Sequence, residues 1–249
     1  MSLLKMKQLN KISTLPPKGV SKKGIKNEMF TLHKELYGLQ NILFAENKHP
    51  ILIILQGMDT AGKDGTIRHV FSCINPMGCN VKSFKAPTEI EQKHDFMWRI
   101  YPVLPEKGMI QIFNRSHYED ILVPSVEKSL SEKVIEGRYD FVNCFEKQLI
   151  ESGTVILKFY LHISKNEQTK RIEARKQNPQ KRWKYDKSDD QAARNWDAYL
   201  TVYDKIIQKC SSEVPWIIVP SDKKWFRNYF IAQTIVKHFE ELKMKYPQT

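Results

Sequence analysis

The sequence predicts an α/β fold, a mostly parallel sheet of about five strands with helices on both faces. Short apolar runs of strand length recur along the chain, separated by stretches in which apolar residues fall at helical spacing. Several of these runs, "ILIIL" first among them, are continuously apolar rather than alternating, as strands covered on both faces are. The 249 residues, 41% of them hydrophobic, are enough for one large core.

The elements follow in chain order. Residues 1–27 hold seven Lys and no acid around a "PPKG" break, a basic arm that either folds onto the body or stays solvated. Residues 28–249 read as a single domain. From Met29 to about Asn47, Phe30, Leu32, Leu36, Leu39, Ile42 and Leu43 recur at helical spacing and give a helix ahead of the first strand. The strand "ILIILQ" comes next, then a loop and a helix through "GTIRHVFSCI". Strand "NVKSF", a helix over "EIEQKHDFMWRIY", strand "MIQIF", a helix around "YDFVNCFEKQLIES" and strand "TVILKFYLHI" continue the alternation. Lys165 to Cys210 is a long charged helical stretch broken near "NPQKRW"; strand "WIIVP" and a helix from Lys224 close the domain.

Composition narrows the function classes. The four cysteines, Cys73, Cys79, Cys144 and Cys210, include no C-x-x-C pair, which argues against zinc and a disulfide framework. No apolar stretch approaches the ~18 residues needed to span a bilayer, so a soluble, cytoplasmic protein with no membrane partner is expected. With 40 Lys+Arg against 28 Asp+Glu the formal charge is +12, which attracts a polyanion: nucleic acid, an anionic membrane or a chain of phosphates.

Directly after the first strand stands "GMDTAGKDGT", Gly57 to Thr66. A G-x-x-x-x-G-K run between a buried strand and a helix aims backbone N–H groups and the positive helix end at an anion, so Gly57, Ala61, Gly62, Lys63, Gly65 and Thr66 are expected to cradle phosphate. The usual pattern continues with a Ser or Thr whose hydroxyl meets Mg²⁺; here Asp64 holds that place. The candidate metal ligands are therefore two carboxylates, Asp59 and Asp64, both hard oxygen donors. A carboxylate inside a phosphate cradle repels the ligand unless a cation lies between them, so Mg²⁺-bridged phosphates are expected.

The strand "MIQIF" runs into "NRSHYED", Asn114 to Asp120. Arg115, at the carboxyl end of a parallel strand, can fork onto phosphate oxygens. Glu119 can take the hydroxyls of an acceptor or an outer water of the metal. His117 is a lone histidine, read either as a packed residue or, with Asn114 and Glu119, as part of the acceptor site.

Together, "GMDTAGKDGT", "FKAPTEIEQKHDFMWR", "IFNRSHYED" and "PWIIVPSDKKWFRNYF" resemble the type 2 polyphosphate kinase family, over nearly the whole chain from about Met29 to His238. The resemblance implies a P-loop kinase-like fold with a helical lid, here about residues 165–210, that moves phosphoryl groups between inorganic polyphosphate and nucleotides with Mg²⁺. It maps Asp59, Lys63 and Asp64 onto the family's first loop and Asn114, Arg115 and Glu119 onto its second motif, with Asp59, Lys63, Asp64 and Arg115 carrying catalysis. Members restricted to nucleoside diphosphates tend to carry "RSWYN" there; "RSHYE" resembles the groups that accept monophosphates.

Lys158 to Lys187 hold ten Lys+Arg and three acids. Arg171 and Arg175 lie at i and i+4, on one helix face. A solvated helix face accounts for such a run by itself; with the loop, it reads as a lid whose Arg171 and Arg175, joined by Lys85 at the end of the second strand, clamp polyphosphate and exclude water. Two rivals remain at this stage. An ATP-dependent nucleoside monophosphate kinase shares the loop but leaves the long basic path unused. A polyanion or nucleic-acid binding module fits the charge and the aromatic residues of "KRWKY" but leaves Asp59 and Asp64 unexplained. The expected partners are polyphosphate and nucleoside mono- and diphosphates, not nucleic acid, in a homodimer or homotetramer.

Overall fold

The computed structural model describes residues 8–182 and 193–248, without the side chain of Lys181. Trp183, Lys184 and Tyr185 of the expected lid lie outside the described residues, as does the start of the basic arm. Five strands, β1 (Ile51–Gln56), β2 (Cys79–Ser83), β3 (Ile110–Asn114), β4 (Val155–His162) and β5 (Trp216–Pro220), form one parallel sheet in the order β2-β3-β1-β4-β5. All five match the strands expected from the apolar runs. β1, at the centre, is buried at every position, which is why its sequence shows no alternation.

The helices among the described residues are α1 (Lys26–Glu46), α2 (Lys63–Val70), α3 (Glu119–Glu127), α4 (Glu132–Glu151), α5 (Lys165–Gln177), the short α6 (Pro179–Arg182), α7 (Trp196–Lys209) and α8 (Lys224–Glu241). α8 packs against α1 and α2, and α3 against α4 and α7. The connection from β1 through α2 to β2 passes over β3, while that from β3 through α3 and α4 to β4 passes over β1 in the other direction. Parallel crossovers keep one hand, so opposite directions place these helices on opposite faces. The carboxyl ends of the neighbours β1 and β3 thus open a crevice where the connections part, the place where such sheets bind ligands.

Three expectations for the elements need correction. The stretch Glu89–Tyr101 is not an α-helix but a series of turns with 3₁₀ segments at Glu91–Lys93 and Tyr101–Val103. Thr88 and Glu91 bond each other's backbone N–H reciprocally, at 2.8 and 3.2 Å, which starts one turn. The Asp95 carboxylate then accepts the Met97 N–H at 2.9 Å and diverts the backbone. The turn delivers buried Arg99 to Asp120 at 2.7 Å and to the Lys85 carbonyl at 2.9 Å. α2 stops at Val70, short of the expected Ile74. In the other direction, α3 forms where no helix was expected, with Pro124 inside it. Proline leaves the carbonyl of Asp120, four residues back, without its helical donor, and Arg138 of α4 donates to that carbonyl instead.

The arm from Gln8 onward lies against the body. Leu9 is buried and its N–H donates to Asp204 of α7 at 2.8 Å; His162, at the end of β4, meets the Ile12 carbonyl at 3.2 Å; Thr14 donates to Asp222 at 2.8 Å. No helix among the described residues is long and apolar enough to cross a membrane.

Candidate active site

β1 ends at Gln56 and α2 begins at Lys63; the six residues between turn sharply. Gly57 has φ 151° and leaves no room for a side chain, since a Cβ would stand 2.7 Å from the Leu161 carbonyl oxygen. Gly62, at the helix N-cap, has φ 109°. The loop wraps the amino end of α2, where unpaired N–H groups and the helix dipole favour an anion. Two hydroxyls here, Thr60 Oγ1 in the turn and Thr66 Oγ1 in α2, are buried with no hydrogen-bond partner among the described residues.

Lys63 lies in this loop, only 8% exposed, its Nζ donating to the carbonyls of Gly57 at 2.8 Å and Met58 at 3.3 Å. Burial, and secondarily the Arg115 guanidinium, bring its pKa down to about 8 against the opposing pull of Asp59, Glu119 and Asp64. Three carboxylates act on it, yet among the described residues it forms no ion pair within 4.0 Å.

The second cluster hangs from the end of β3. Asn114 pairs with Leu55 in the sheet, and the Arg115 N–H then donates to the Leu55 carbonyl at 3.0 Å. Arg115 takes φ 63°, a left-handed conformation that costs a non-glycine residue ~1 kcal/mol or more and recurs at functional turns. It sends the guanidinium across to the loop after β1, where it forks between Asp59 Oδ1 at 2.6 Å and Glu119 Oε2 at 3.2 Å. Glu119, with Asp59, holds the guanidinium pKa above its ordinary value in spite of burial. Gln56 donates to the other oxygen of Glu119 at 3.1 Å, and Asn114 donates to Asp64 at 2.9 Å and to Ser83 at 3.3 Å. Asp59, Lys63, Asp64, Asn114, Arg115 and Glu119 are therefore in one place, drawn from two segments some fifty residues apart.

Other expected site residues stand elsewhere. His117 is fully buried on the far side of its turn, packed on Tyr118 and Phe145 with Nε2 3.5 Å from Glu146 Oε1, so it is a core residue and not an acceptor contact. Of the two readings of the lone histidine, the buried position fits the packed residue and leaves the acceptor role without a contact. Arg171 does not present its guanidinium to an open cleft. Its Nη1 donates to the Thr60 and Ala61 carbonyls at 3.0 and 2.9 Å, its Nη2 to those of Ser221 and Asp222 at 2.7 and 3.1 Å, and its Nε to Glu167. It is a strut that ties the phosphate loop to the β5–α8 corner. Arg175 lies one turn further along α5, partly shielded, and Lys85 is exposed beyond the edge strand β2.

Several residues of the site were not picked out from the sequence. A cleft is lined by Gly57, Met58, Asp59, Arg115, Glu119, Leu122, Val123, Gln168, Tyr199 and Tyr203. Tyr199 and Tyr203 come from α7 at i and i+4, a spacing that put two aromatic rings on one helix face and was readable in advance. Gln168 on α5 donates to the Asp59 carbonyl at 3.2 Å. Arg227, on α8, reaches the loop from beneath, donating to the Ala61 carbonyl at 3.1 Å.

The donor set is suited to a hard divalent ion completed by its ligand. Among the described residues no three His, Cys, Asp or Glu side chains converge, so Asp59 and Asp64 supply at most two carboxylates. That count suits Mg²⁺, which keeps waters and takes substrate phosphates for its other positions.

A glycine loop at the amino end of α2, a buried lysine that forms no ion pair among the described residues, and carboxylates and a guanidinium gathered beside it suit a phosphoryl-transfer site. Residues 19–247 match the family model described as Polyphosphate kinase 2 (PPK2). The chain belongs to the polyphosphate kinase 2 family. It is 46% identical over 218 residues, 87% of this chain and 82% of the relative, to an AMP/ADP-polyphosphate phosphotransferase of Meiothermus ruber. It is 44% identical over 229 residues to an ADP-polyphosphate phosphotransferase of Rhodopseudomonas palustris, covering 87% and 79% of the two chains. In three dimensions it is similar to the crystal structure of polyphosphate kinase 2 from Arthrobacter aurescens TC1, with a TM-score of 0.94 at 38% identity, covering 98% of this chain and 89% of that one. The P-loop kinase-like fold expected from the sequence is the fold of this polyphosphate kinase 2 family.

Proposed function

We propose that the chain catalyses reversible, Mg²⁺-dependent phosphoryl transfer between inorganic polyphosphate and AMP or ADP. The observation that carries this reading is the meeting of Lys63 with Asp59, Asp64 and Arg115 at the ends of β1 and β3: cations and carboxylates in one crevice, fit for phosphates on either side of a metal. The names of the Meiothermus ruber and Rhodopseudomonas palustris relatives support AMP and ADP as acceptors.

An acceptor phosphate is already ionised at neutral pH, so the site needs no general base, and its carboxylates are left to bind metal and cations. Lys63 exchanges its loop carbonyls for an oxygen of the transferring group, and Arg115 swings or shares its fork to hold another; their charges offset the one that builds up in transfer. Asp59 and Asp64 would hold the Mg²⁺, which supplies charge neutralisation between the phosphates. Glu119 and Asn114, with Tyr199 and Tyr203 behind them, form the acceptor side of the cleft. α5, α6 and α7 act as the lid: Arg175 contacts donor phosphates when it closes, and the closed lid keeps water from the phosphoryl group. We place the enzyme in the cytoplasm as a homodimer or homotetramer.

The test supplies polyphosphate as the only phosphoryl donor and follows AMP by ³¹P NMR with Mg²⁺. ADP, and then ATP, should form without added ATP, and a chelator should stop the reaction. Turnover only with ATP as donor would establish the nucleoside monophosphate kinase reading instead, and salt-sensitive RNA binding with no turnover would establish the nucleic-acid one.

A further inference from the structure

Arg227 is among the most deeply buried large side chains, 2% exposed, and among the described residues it forms no ion pair with a carboxylate. Its hydrogen bonds are to neutral oxygens: Nη1 to the Ala61 carbonyl at 3.1 Å, and Nε and Nη2 to Asn228 Oδ1 at 3.1 and 2.8 Å. Arg99, a buried guanidinium elsewhere in the fold, has Asp120 at 2.7 Å, and Arg171, the neighbour of Arg227 at the loop, has Glu167 at 2.7 Å. A buried cation without a counter-ion is costly and is retained only for a reason. Burial, with Arg171 nearby, pushes its pKa down to about 9.

The guanidinium also lies where cations are least welcome, against the positive amino end of α2. A Cβ on Gly62 would stand 1.8 Å from Nη1, and one on Gly65 3.2 Å from Nη2. Both glycines of the first helical turn thus leave room for this one group. Ala61 offers its carbonyl to two guanidiniums, Arg171 at 2.9 Å and Arg227 at 3.1 Å, which turns that carbonyl outward and away from the anion site.

We infer that Arg227 is a positioning residue for the phosphate loop, one whose missing counter-charge is the phosphate that the loop binds. It acts through Ala61 and the amino end of α2: the fork fixes the loop's shape, and its charge adds to that of Lys63 behind the anion. The donor side of the site therefore rests on α8 as well as on the loop itself. This rests on the reading of the loop as a phosphate site, which the wild-type control tests separately.

The experiment is a calorimetric titration of tripolyphosphate and, separately, of AMP into folded wild-type, Arg227→Met and Arg227→Lys proteins. If the wild type does not bind tripolyphosphate, the phosphate-site reading itself fails. Given wild-type binding, Arg227→Met should bind tripolyphosphate at least tenfold more weakly with AMP affinity changed less than twofold. Arg227→Lys, which returns the charge without the fork, should fall between the two. A purely structural arginine predicts otherwise: a lower melting temperature, but tripolyphosphate affinity of the folded Met variant within twofold of wild type, and that result overturns the inference. So does an equal loss for AMP. If Arg227→Met does not fold, Arg227→Lys decides: about threefold weaker tripolyphosphate binding with AMP unchanged supports the inference, and wild-type affinity or an equal loss for both ligands overturns it.

Discussion

Lys63 and Lys158 are both buried lysines of this molecule, and they are bound in opposite ways. Lys158, on β4, has Glu146 Oε2 at 2.6 Å, the Tyr118 hydroxyl at 2.9 Å and the Cys210 carbonyl at 2.7 Å, so each of its three donors has a partner and one partner is a carboxylate. The Tyr118 hydroxyl completes the set by donating to Glu146 Oε1 at 2.7 Å, and the rings of Tyr118 and Trp216 lie 5.3 and 5.1 Å from Nζ. Lys63 has two carbonyls of its own loop and no ion pair among the described residues. A lysine whose charge is matched inside the fold is structural. One that forms no ion pair inside a glycine loop at a helix amino end is, on the proposed reading, held for a phosphate.

Breaking Lys158 should produce the largest change in stability. Lys158→Met leaves the Glu146 carboxylate buried with the Tyr118 hydroxyl and His117 beside it but without its lysine, at a cost of about 3–5 kcal/mol, read as a lowered denaturation midpoint. Turnover of the fraction still folded should stay near wild type, and a loss of turnover without a loss of stability would show that the two lysines do not differ as described.

The metal side of the comparison is sharpened by Asp59→Asn and Asp64→Ser. A neutral, weaker ligand in either place should raise the Mg²⁺ concentration needed for half-maximal rate and lower the rate by roughly tenfold, since each removes one carboxylate of a two-carboxylate site. An unchanged Mg²⁺ requirement in both variants would remove these residues from metal binding.

The smallest effect concerns His162, which holds the arm through the Ile12 carbonyl. Burial keeps its imidazole below the ordinary value, although that bond to Ile12 works the other way. The folded chain therefore takes up this proton at lower pH than the unfolded chain does. The contribution is fully present above about pH 6.5 and declines as pH falls below it. Melting temperatures between pH 5 and 8 should show this acid limb in the wild type and a shallower one in His162→Gln.

Much of this was legible in the sequence, and the exceptions have physical causes. The buried strands β1, β3 and β4 could be placed because they are apolar runs of strand length, while the half-exposed edge strand β2, CNVKS, carries a weaker signal and was placed by the alternation around it. The loop and Arg115 could be placed because glycines, Lys63 and the strand end fix their position relative to an anion. The turns at 89–101 were misread because apolar spacing does not register side chains such as Asp95 that capture backbone N–H groups. α3 was missed because Pro124 reads as a breaker until Arg138 takes the orphaned carbonyl. His117 was left between two readings and Arg171 was placed by its helical spacing from Arg175, but which side a side chain takes at a turn and which carbonyls gather around a guanidinium are set by tertiary packing.

The most direct measurement of the central claim is the polyphosphate-to-AMP turnover efficiency of Lys63→Met, taken on protein whose melting temperature is recorded in the same preparation. With its charge reserved for the transferring phosphate, Lys63 should be dispensable for folding and indispensable for chemistry. The expected result is an unchanged or higher melting temperature with kcat/KM lower by at least ~100-fold, the several kcal/mol that one such contact supplies at the transition state. Turnover within threefold of wild type, or loss of the fold in place of loss of activity, would contradict it.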